Sequence, residues 1–302
     1  MAEPVIKWAG GKRQLLPRLL ASQPSTWQRY WEPFAGGAAL FFALSCSHAV
    51  LSDTNADLIQ MYQAVRDQLP ELIAHLVAFQ AAYDAQNPTD RAALFYSWRE
   101  QYNRRQADVL TQSALFLVLG RLAFNGLYRV NAQGRYNTPF GSPAHPDLIQ
   151  AARLQAASAI LQQNVIMQGD YAVVGSQAQS GDWIYCDPPY APSSPTAQFT
   201  HYTAGGFGWP QQVALATWLR GQADRGIFVM ASNADVPAIH DLYRGFWIQV
   251  VPARRAINAD ATKRGGTTEV IITSYPVADA VQEKEAECFG TPNGFFPSRG
   301  HQ

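Results

Sequence analysis

Short apolar runs, each ending in a turn of small or polar residues, alternate along this chain with stretches of helical spacing. Val5-Ile6 runs into Gly10-Gly11, and Lys12 opens a predicted amphipathic helix. Tyr30-Trp31 reads as a strand stopped at Glu32-Pro33, and a turn from Ala35 to Ala39 feeds an apolar helix. Val50-Leu51-Ser52-Asp53 is a second strand, with a helix from about Ala56. Apolar residues then recur at three- and four-residue intervals: Leu58, Met61, Tyr62, Val65, then Leu69, Leu72, Ile73, Leu76, Phe79. That spacing predicts helices, continued over 91–105 and 111–122. Residues 124–141 mix aromatic, amide, glycine and arginine side chains and read as a hairpin.

The strand–helix alternation resumes near 150. A helix over 147–162 precedes a strand at 165–167. Trp183-Ile184-Tyr185 is a buried strand that must stop at Asp187, because Pro188 and Pro189 cannot donate to a sheet ladder. A Ser/Pro/Gly-rich stretch leads to Trp209-Pro210 and carries Phe199-Thr200-His201-Tyr202; its length suggests an active-site loop. A helix over 211–222, a strand over 226–231 ending in Ser232-Asn233, a helix over 236–243 and strands over 246–251 and 269–275 follow. The pattern predicts an α/β fold: a Rossmann-like, mostly parallel sheet flanked by helices, with a helical insertion carrying a β-hairpin. The segments are 1–56 and 148–275 for the α/β domain, 57–147 for the insertion, and a tail over 276–302 expected to have little order.

Composition changes the picture only in part. At 47% hydrophobic residues over 302 there is ample material for a core, and no apolar run is long enough to span a bilayer. The start, Met1-Ala2-Glu3-Pro4, reads as neither a basic leader nor a signal segment, and a cytoplasmic location is expected. Cys46, Cys186 and Cys288 are far apart and make neither a disulfide framework nor a metal site. Net charge is zero, but basic residues cluster: Arg99, Arg104, Arg105; Arg121, Arg129, Arg135; Arg254, Arg255, Lys263, Arg264. Such runs are solvated faces or nucleic-acid contacts.

Chemistry concentrates at strand ends, where open α/β sheets hold ligands. The turns at Trp8–Lys12, Phe34–Ala38 and Asp53 suit a nucleoside-bearing cofactor, although neither GxGxxG nor a P-loop is present. Asp53 accepts from ribose hydroxyls or caps the helix that follows it. Asp187-Pro188-Pro189-Tyr190 suits an amine on a planar ring: the Asp187 carboxylate and Pro188 carbonyl accept from NH₂, and Tyr190 stacks on the ring. Two acceptors on an aromatic amine favour pyramidal nitrogen and stabilise the positive charge that grows as it attacks, which needs no metal. A sulfonium methyl group is the fitting electrophile.

Lys-Trp-Ala-Gly-Gly-Lys at 7–12, Glu-Pro-Phe at 32–34, Asp-Pro-Pro-Tyr-Ala-Pro at 187–192 and Phe-Thr-x-Tyr at 199–202, in that order, resemble the adenine-N6 DNA methyltransferases of the Dam family, the D12 class. The resemblance spans residues 5 to about 275. It implies that Trp8, Lys12, Asp53 and Asp187 contact S-adenosylmethionine, which becomes S-adenosylhomocysteine, with Gly10, Phe34 and Gly36 shaping the pocket. It implies that Asp187, Pro188 and Tyr190 hold an adenine flipped from double-stranded DNA. It makes the insertion a target-recognition domain, with Lys7 on the first guanine of GATC, Phe124 and Asn125 as a wedge at the hairpin tip, and Leu127, Arg129 and Pro139 reading the other half-site. Arg254, Arg255, Lys263 and Arg264 would take phosphates. A monomer, no metal and no membrane are expected. Three positions depart from the family pattern: Ala38 for a glycine, Phe124 where tyrosine is frequent, and Ala234-Asp235 where His-Asp is frequent. Adenine methylation in RNA and a non-catalytic DNA-binding relative share the same turn chemistry; the hairpin argues against the first, and intact Lys12, Asp53 and Asp187–Tyr190 against the second.

Overall fold

The computed structural model describes residues 2–191, 206–253, 267–278 and 280–282. In chain order the elements are α1 (Leu16–Ala21), β1 (Tyr30–Glu32), α2 (Ala39–Leu44), β2 (Val50–Asp53), α3 (Ala56–Asp67), α4 (Leu69–Asp84), α5 (Arg91–Arg104), α6 (Val109–Leu122), α7 (Ala151–Leu161), β3 (Val165–Gln168), α8 (Tyr171–Gly175), β4 (Trp183–Cys186), α9 (Trp209–Asp224), β5 (Phe228–Ala234), α10 (Pro237–Leu242), β6 (Trp247–Ala253), β7 (Thr267–Thr273) and β8 (Val281–Gln282).

The strands form one sheet in the order β3-β2-β1-β4-β5-β7-β6-β8. The first five are parallel neighbours, and β7 enters antiparallel between β5 and β6. Chain order reverses between β1 and β4, so the turns leaving these two strands meet at the carboxyl edge, where a doubly wound sheet opens a crevice. β4 is buried along its whole length, as a central parallel strand must be, and its four apolar residues explain why.

The helical segment and the sheet share one hydrophobic core. Tyr62, Leu72, Phe95 and Leu117 from the helices join Tyr30, Leu51 and Tyr185 from the strands, all essentially inaccessible. Burying each such side chain is worth about 1.5–3 kcal/mol. A second cluster, with Ile184, Leu215, Leu219, Val229 and Ile272, covers the other face.

Several boundaries differ from the pattern-based expectation. The first helix starts at Leu16 rather than Lys12: Pro17 sits in its first turn, where proline is tolerated, and the Lys12 side chain is drawn back to the Gly10 carbonyl at 2.7 Å. Asn55, not Asp53, caps α3, accepting from the Leu58 amide. Asp147 accepts from the Ile149 and Gln150 amides in a turn, and Gln150 has φ +45°, so α7 begins only at Ala151. β5 runs on through Ser232-Asn233 because β7 pairs with it there, Ser232 opposite Ile271 and Asn233 opposite Val270. In the tail, Val281–Gln282 adds an edge strand against Trp247 and Ile248. Phe199 to Tyr202, Arg254, Arg255, Lys263 and Arg264 lie outside the described residues. Among those described, no helix is long and apolar enough to cross a membrane.

Candidate active site

The β4 exit turn is where the charges converge. Asp187 leaves the strand with its side chain about 20% exposed, and its Oδ1 lies 2.7 Å from the Lys12 ammonium. The same oxygen accepts from the Ser232 hydroxyl at 2.9 Å, and Ser232 is 3.0 Å from the buried Tyr185 hydroxyl. Because Ser232 gives its one proton to the carboxylate, Tyr185 must donate to Ser232. Burial pushes the Asp187 carboxyl above its ordinary value, and Lys12 and then Ser232 pull it back. Lys12 also stands 4.5 Å from the centroid of the Tyr190 ring, within cation–π range.

The rest of the turn is tied to three further elements. The Gln212 amide of α9 donates to the Pro189 carbonyl at 2.7 Å. Asn233 accepts from the Ala191 amide at 3.1 Å and donates to Gln212 at 2.9 Å. The Tyr190 hydroxyl donates to Glu269 of β7 at 2.8 Å. Ser232, Asn233, Gln212 and Glu269 were not singled out by sequence reasoning. Each acts across 23 or more positions in the chain, which local pattern does not reveal; the polar Ser-Asn pair inside an apolar strand was the available signal.

On the neighbouring strand, the space over the small-residue turn after β1 is taken by the Trp8 indole. Gly36 has φ +47°, and a Cβ there would stand 2.8 Å from Trp8 Cδ1, so the indole packs directly on the glycine. The Asp53 carboxylate accepts from the Gly36 amide at 3.1 Å and from the Asn55 amide at 2.9 Å, and the Tyr62 hydroxyl donates to the Gly36 carbonyl at 2.8 Å. Asp53 therefore holds the turn in shape. Burial raises its carboxyl, and the Asn55 and Gly36 amides oppose that rise. Phe34 stacks on Tyr171 at 5.4 Å and meets Phe207 edge-on. Gly10 has φ +77° and lies beside the Lys12 ammonium. Beneath this turn, Glu32 is buried and accepts from the Tyr30 hydroxyl at 2.7 Å and the Phe41 amide at 3.1 Å. Burial first and the Asp187 charge second push its carboxyl up to about 8, against those two hydrogen bonds.

The hairpin forms, but Phe124 and Asn125 are not at its tip. They occupy a 3₁₀ turn at its base, where the Phe124 amide donates to the Pro139 carbonyl at 2.9 Å. The tip is Asn131–Gly134, closed by a Gly134 amide to Asn131 carbonyl bond. The displacement arises because Ala123 bridges Phe140 directly after α6, so the two legs begin there. Phe124 is 53% exposed, unusual for so large an apolar ring, and Asn125 has φ +55°. Leu127 is half-buried, and its carbonyl accepts from Tyr136 and Thr138; Pro139 is exposed. Arg129 is exposed and held by Asn137, Nε to Oδ1 at 2.8 Å. Lys7 is exposed, its stem against Gly126 at the hairpin base. Trp8 stacks on Tyr128 at 5.1 Å, so the glycine turn and the hairpin are in contact. The predicted basic clusters disperse: Arg105 pairs with buried Asp57, Arg121 is turned inward to the Leu148 carbonyl, and Arg135 pairs with Glu100.

Two groups of side chains are therefore joined through the Trp8–Tyr128 stack. One holds Trp8, Lys12, Gly36, Asp53, Asp187 and Tyr190; the other is the hairpin base with Lys7, Phe124 and Asn125. The chain matches the model of the D12 class N6 adenine-specific DNA methyltransferases over residues 8–257. It is 37% identical over 274 residues to the Type II methyltransferase M1.LlaDCHI of Lactococcus lactis subsp. cremoris, covering 90% of this chain and 95% of that protein. It is 33% identical over 286 residues to the Type II methyltransferase M.MjaIII of Methanocaldococcus jannaschii, covering 90% and 99%. It is 34% identical over 273 residues to the DNA adenine methylase of Escherichia coli K12, covering 90% and 95%.

Proposed function

The chain belongs to the D12 class of N6 adenine-specific DNA methyltransferases, and on that premise we propose that it methylates adenine N6 at GATC in duplex DNA, on a base flipped into the β4 turn, with S-adenosylmethionine as donor. The observation that carries the reading is the Asp187 carboxylate, held at the sheet's switch point by Lys12 and Ser232 beside the Tyr190 ring.

The cofactor fits the residues present. Gly36 lets the Trp8 indole close on the turn, Asp53 offers carboxylate lone pairs beside it, and Phe34 supplies a half-buried apolar wall. Trp8, Lys12, Asp53 and Asp187 would hold S-adenosylmethionine, with Gly10, Phe34 and Gly36 giving it room. When bound, that cofactor supplies an electrophilic sulfonium methyl group. Asp187 and the Pro188 carbonyl accept the adenine amine's hydrogens and stabilise the charge that develops on nitrogen. Tyr190 stacks on the base and fixes its plane. Burial raises the Asp187 carboxyl, and Lys12 and Ser232 favour its anion against that rise.

Residues 57–147 serve as the target-recognition insertion in this reading. Phe124, exposed at the hairpin base, wedges into the gap left by the flipped base, with Asn125 beside it. Extrusion costs a few kcal/mol, and the inserted ring offsets part of the lost stacking. Lys7 and Arg129 read guanines, Leu127 and Pro139 line the half-site, and Asn137 presents Arg129.

The test is transfer of label from S-adenosylmethionine to duplexes with and without GATC. Incorporation confined to GATC duplexes supports the reading, and no incorporation into either refutes it. Asp187→Ala should abolish transfer, and Arg129→Ala should mainly relax sequence choice, by about 1–3 kcal/mol of discrimination.

A further inference from the structure

The stacking role of Tyr190 requires a ring that holds still. Pro188 and Pro189 fix the backbone before it, and Gln212 and Asn233 pin the Pro189 carbonyl and the Ala191 amide on either side. The side chain keeps two torsions of its own. A bond at the far end of the ring is what removes them, and the 2.8 Å contact from the Tyr190 hydroxyl to Glu269 supplies it. Glu269 stands on β7, opposite Ala234 of β5 and Val251 of β6, so its own backbone is fixed on both sides by the sheet ladder. Lys12 stands over the ring, 4.5 Å from its centroid.

We infer that Glu269 is a positioning residue for methyl transfer, its carboxylate fixing the Tyr190 ring in the plane that receives the adenine. The inference rests on the stacking role proposed for Tyr190. Burial and the nearby Asp187 charge keep the Tyr190 hydroxyl protonated, so it remains the donor of this bond across the working range of pH. Glu269 reaches the turn through the Tyr190 hydroxyl, which makes it a positioning residue and not a catalytic one.

Single-turnover methylation of a GATC duplex, together with the affinity for S-adenosylhomocysteine, tests the inference in a double-mutant cycle. Glu269→Ala should slow transfer about tenfold, as expected for a charge-assisted hydrogen bond lost from the bound geometry, with cofactor-product affinity unchanged. Glu269→Gln keeps an acceptor oxygen in place and should stay within about threefold of the parent protein. Tyr190→Phe should be as slow as Glu269→Ala, and the double variant no slower than either. A role confined to folding would instead lower the melting temperature and make the two losses multiply. Should Glu269→Ala fail to fold, Glu269→Asp, whose carboxylate is drawn back by one methylene, takes its place in the cycle. Multiplicative losses, a Glu269→Gln as slow as Glu269→Ala, a Tyr190→Phe at the parent rate, or weakened cofactor-product binding would each overturn the inference. Tyr190→Ala at the parent rate would overturn the stacking role itself.

Discussion

Replacing Lys12 by glutamine separates two things this lysine could do. At 2.7 Å from Asp187 and an effective dielectric of about 20, the attraction between the two charges is about 6 kcal/mol. Solvent reaches Asp187, whose side chain is 20% exposed, so the net effect of the pair is smaller than this. The sign follows from the causes already described. Burial raises the Asp187 carboxyl and Lys12 lowers it, so removing Lys12 lets it rise further. The Asp187 anion opposes the positive charge that grows on the adenine nitrogen more strongly than the neutral acid does. The acidic limb of the single-turnover rate against pH should therefore move to higher pH, with the rate recovering on the alkaline side. The assay is methylation of a GATC duplex at saturating S-adenosylmethionine from pH 5.5 to 9.5. If Lys12 served only to bind cofactor, saturation would restore the rate or the profile would fall evenly at all pH values. A Lys12→Gln profile with an unmoved acidic limb refutes the argument.

Glu32 gives a stability prediction with the opposite pH sense. Its carboxyl, about 8 when folded against an ordinary value near 4.5, is neutral in the folded protein at pH 7 and ionised in the unfolded chain. Stability is thus full below about pH 4.5 and falls as pH rises to about 8, by on the order of 3–5 kcal/mol, and Glu32→Gln should flatten that decline in urea titrations at pH 5, 7 and 9. Equal slopes for the two proteins would reject a protonated Glu32. Gly36→Ala places a methyl group 2.8 Å from Trp8 at φ +47°, so S-adenosylhomocysteine binding measured by calorimetry should weaken at least tenfold, while the fold loses about 1–2 kcal/mol. Unchanged affinity would show that the Trp8–Gly36 contact does not shape the cofactor cradle.

What could be read from the chain alone was whatever depends on neighbours in sequence. Pro188-Pro189 ends β4 by removing donors, which follows from single-residue chemistry; the glycines at 36–37 read as room for a nucleoside, whereas at Gly36 the Trp8 indole takes that space. The amphipathic spacing of α3 to α6 gave those helices nearly to their ends. The hairpin base was misplaced because its register depends on Ala123 meeting Phe140, a pairing that no local pattern encodes. The clamp on Asp187–Tyr190 was missed for the same reason: Ser232, Gln212 and Glu269 reach the turn only after β5, α9 and β7 have packed. Lys12 was expected to face a cofactor, and its ion pair with Asp187 became visible only once the turn before α1 was placed against the β4 exit.

The core shared by helices and sheet bears on how such an enzyme could acquire a new target. Tyr62, Leu72, Phe95 and Leu117 are built into the same interior as the strands that carry the chemistry, so exchanging residues 57–147 wholesale would tear a seam through that interior. The hairpin is different. From Arg129 to Arg135 its side chains are mostly at the surface, and it rejoins the body through the Ala123–Phe140 bridge and the paired amides of Asn103 and Tyr136. On the proposed reading of the hairpin, recognition can drift there, residue by residue or by grafting a relative's loop, while the β4 turn keeps its foundations.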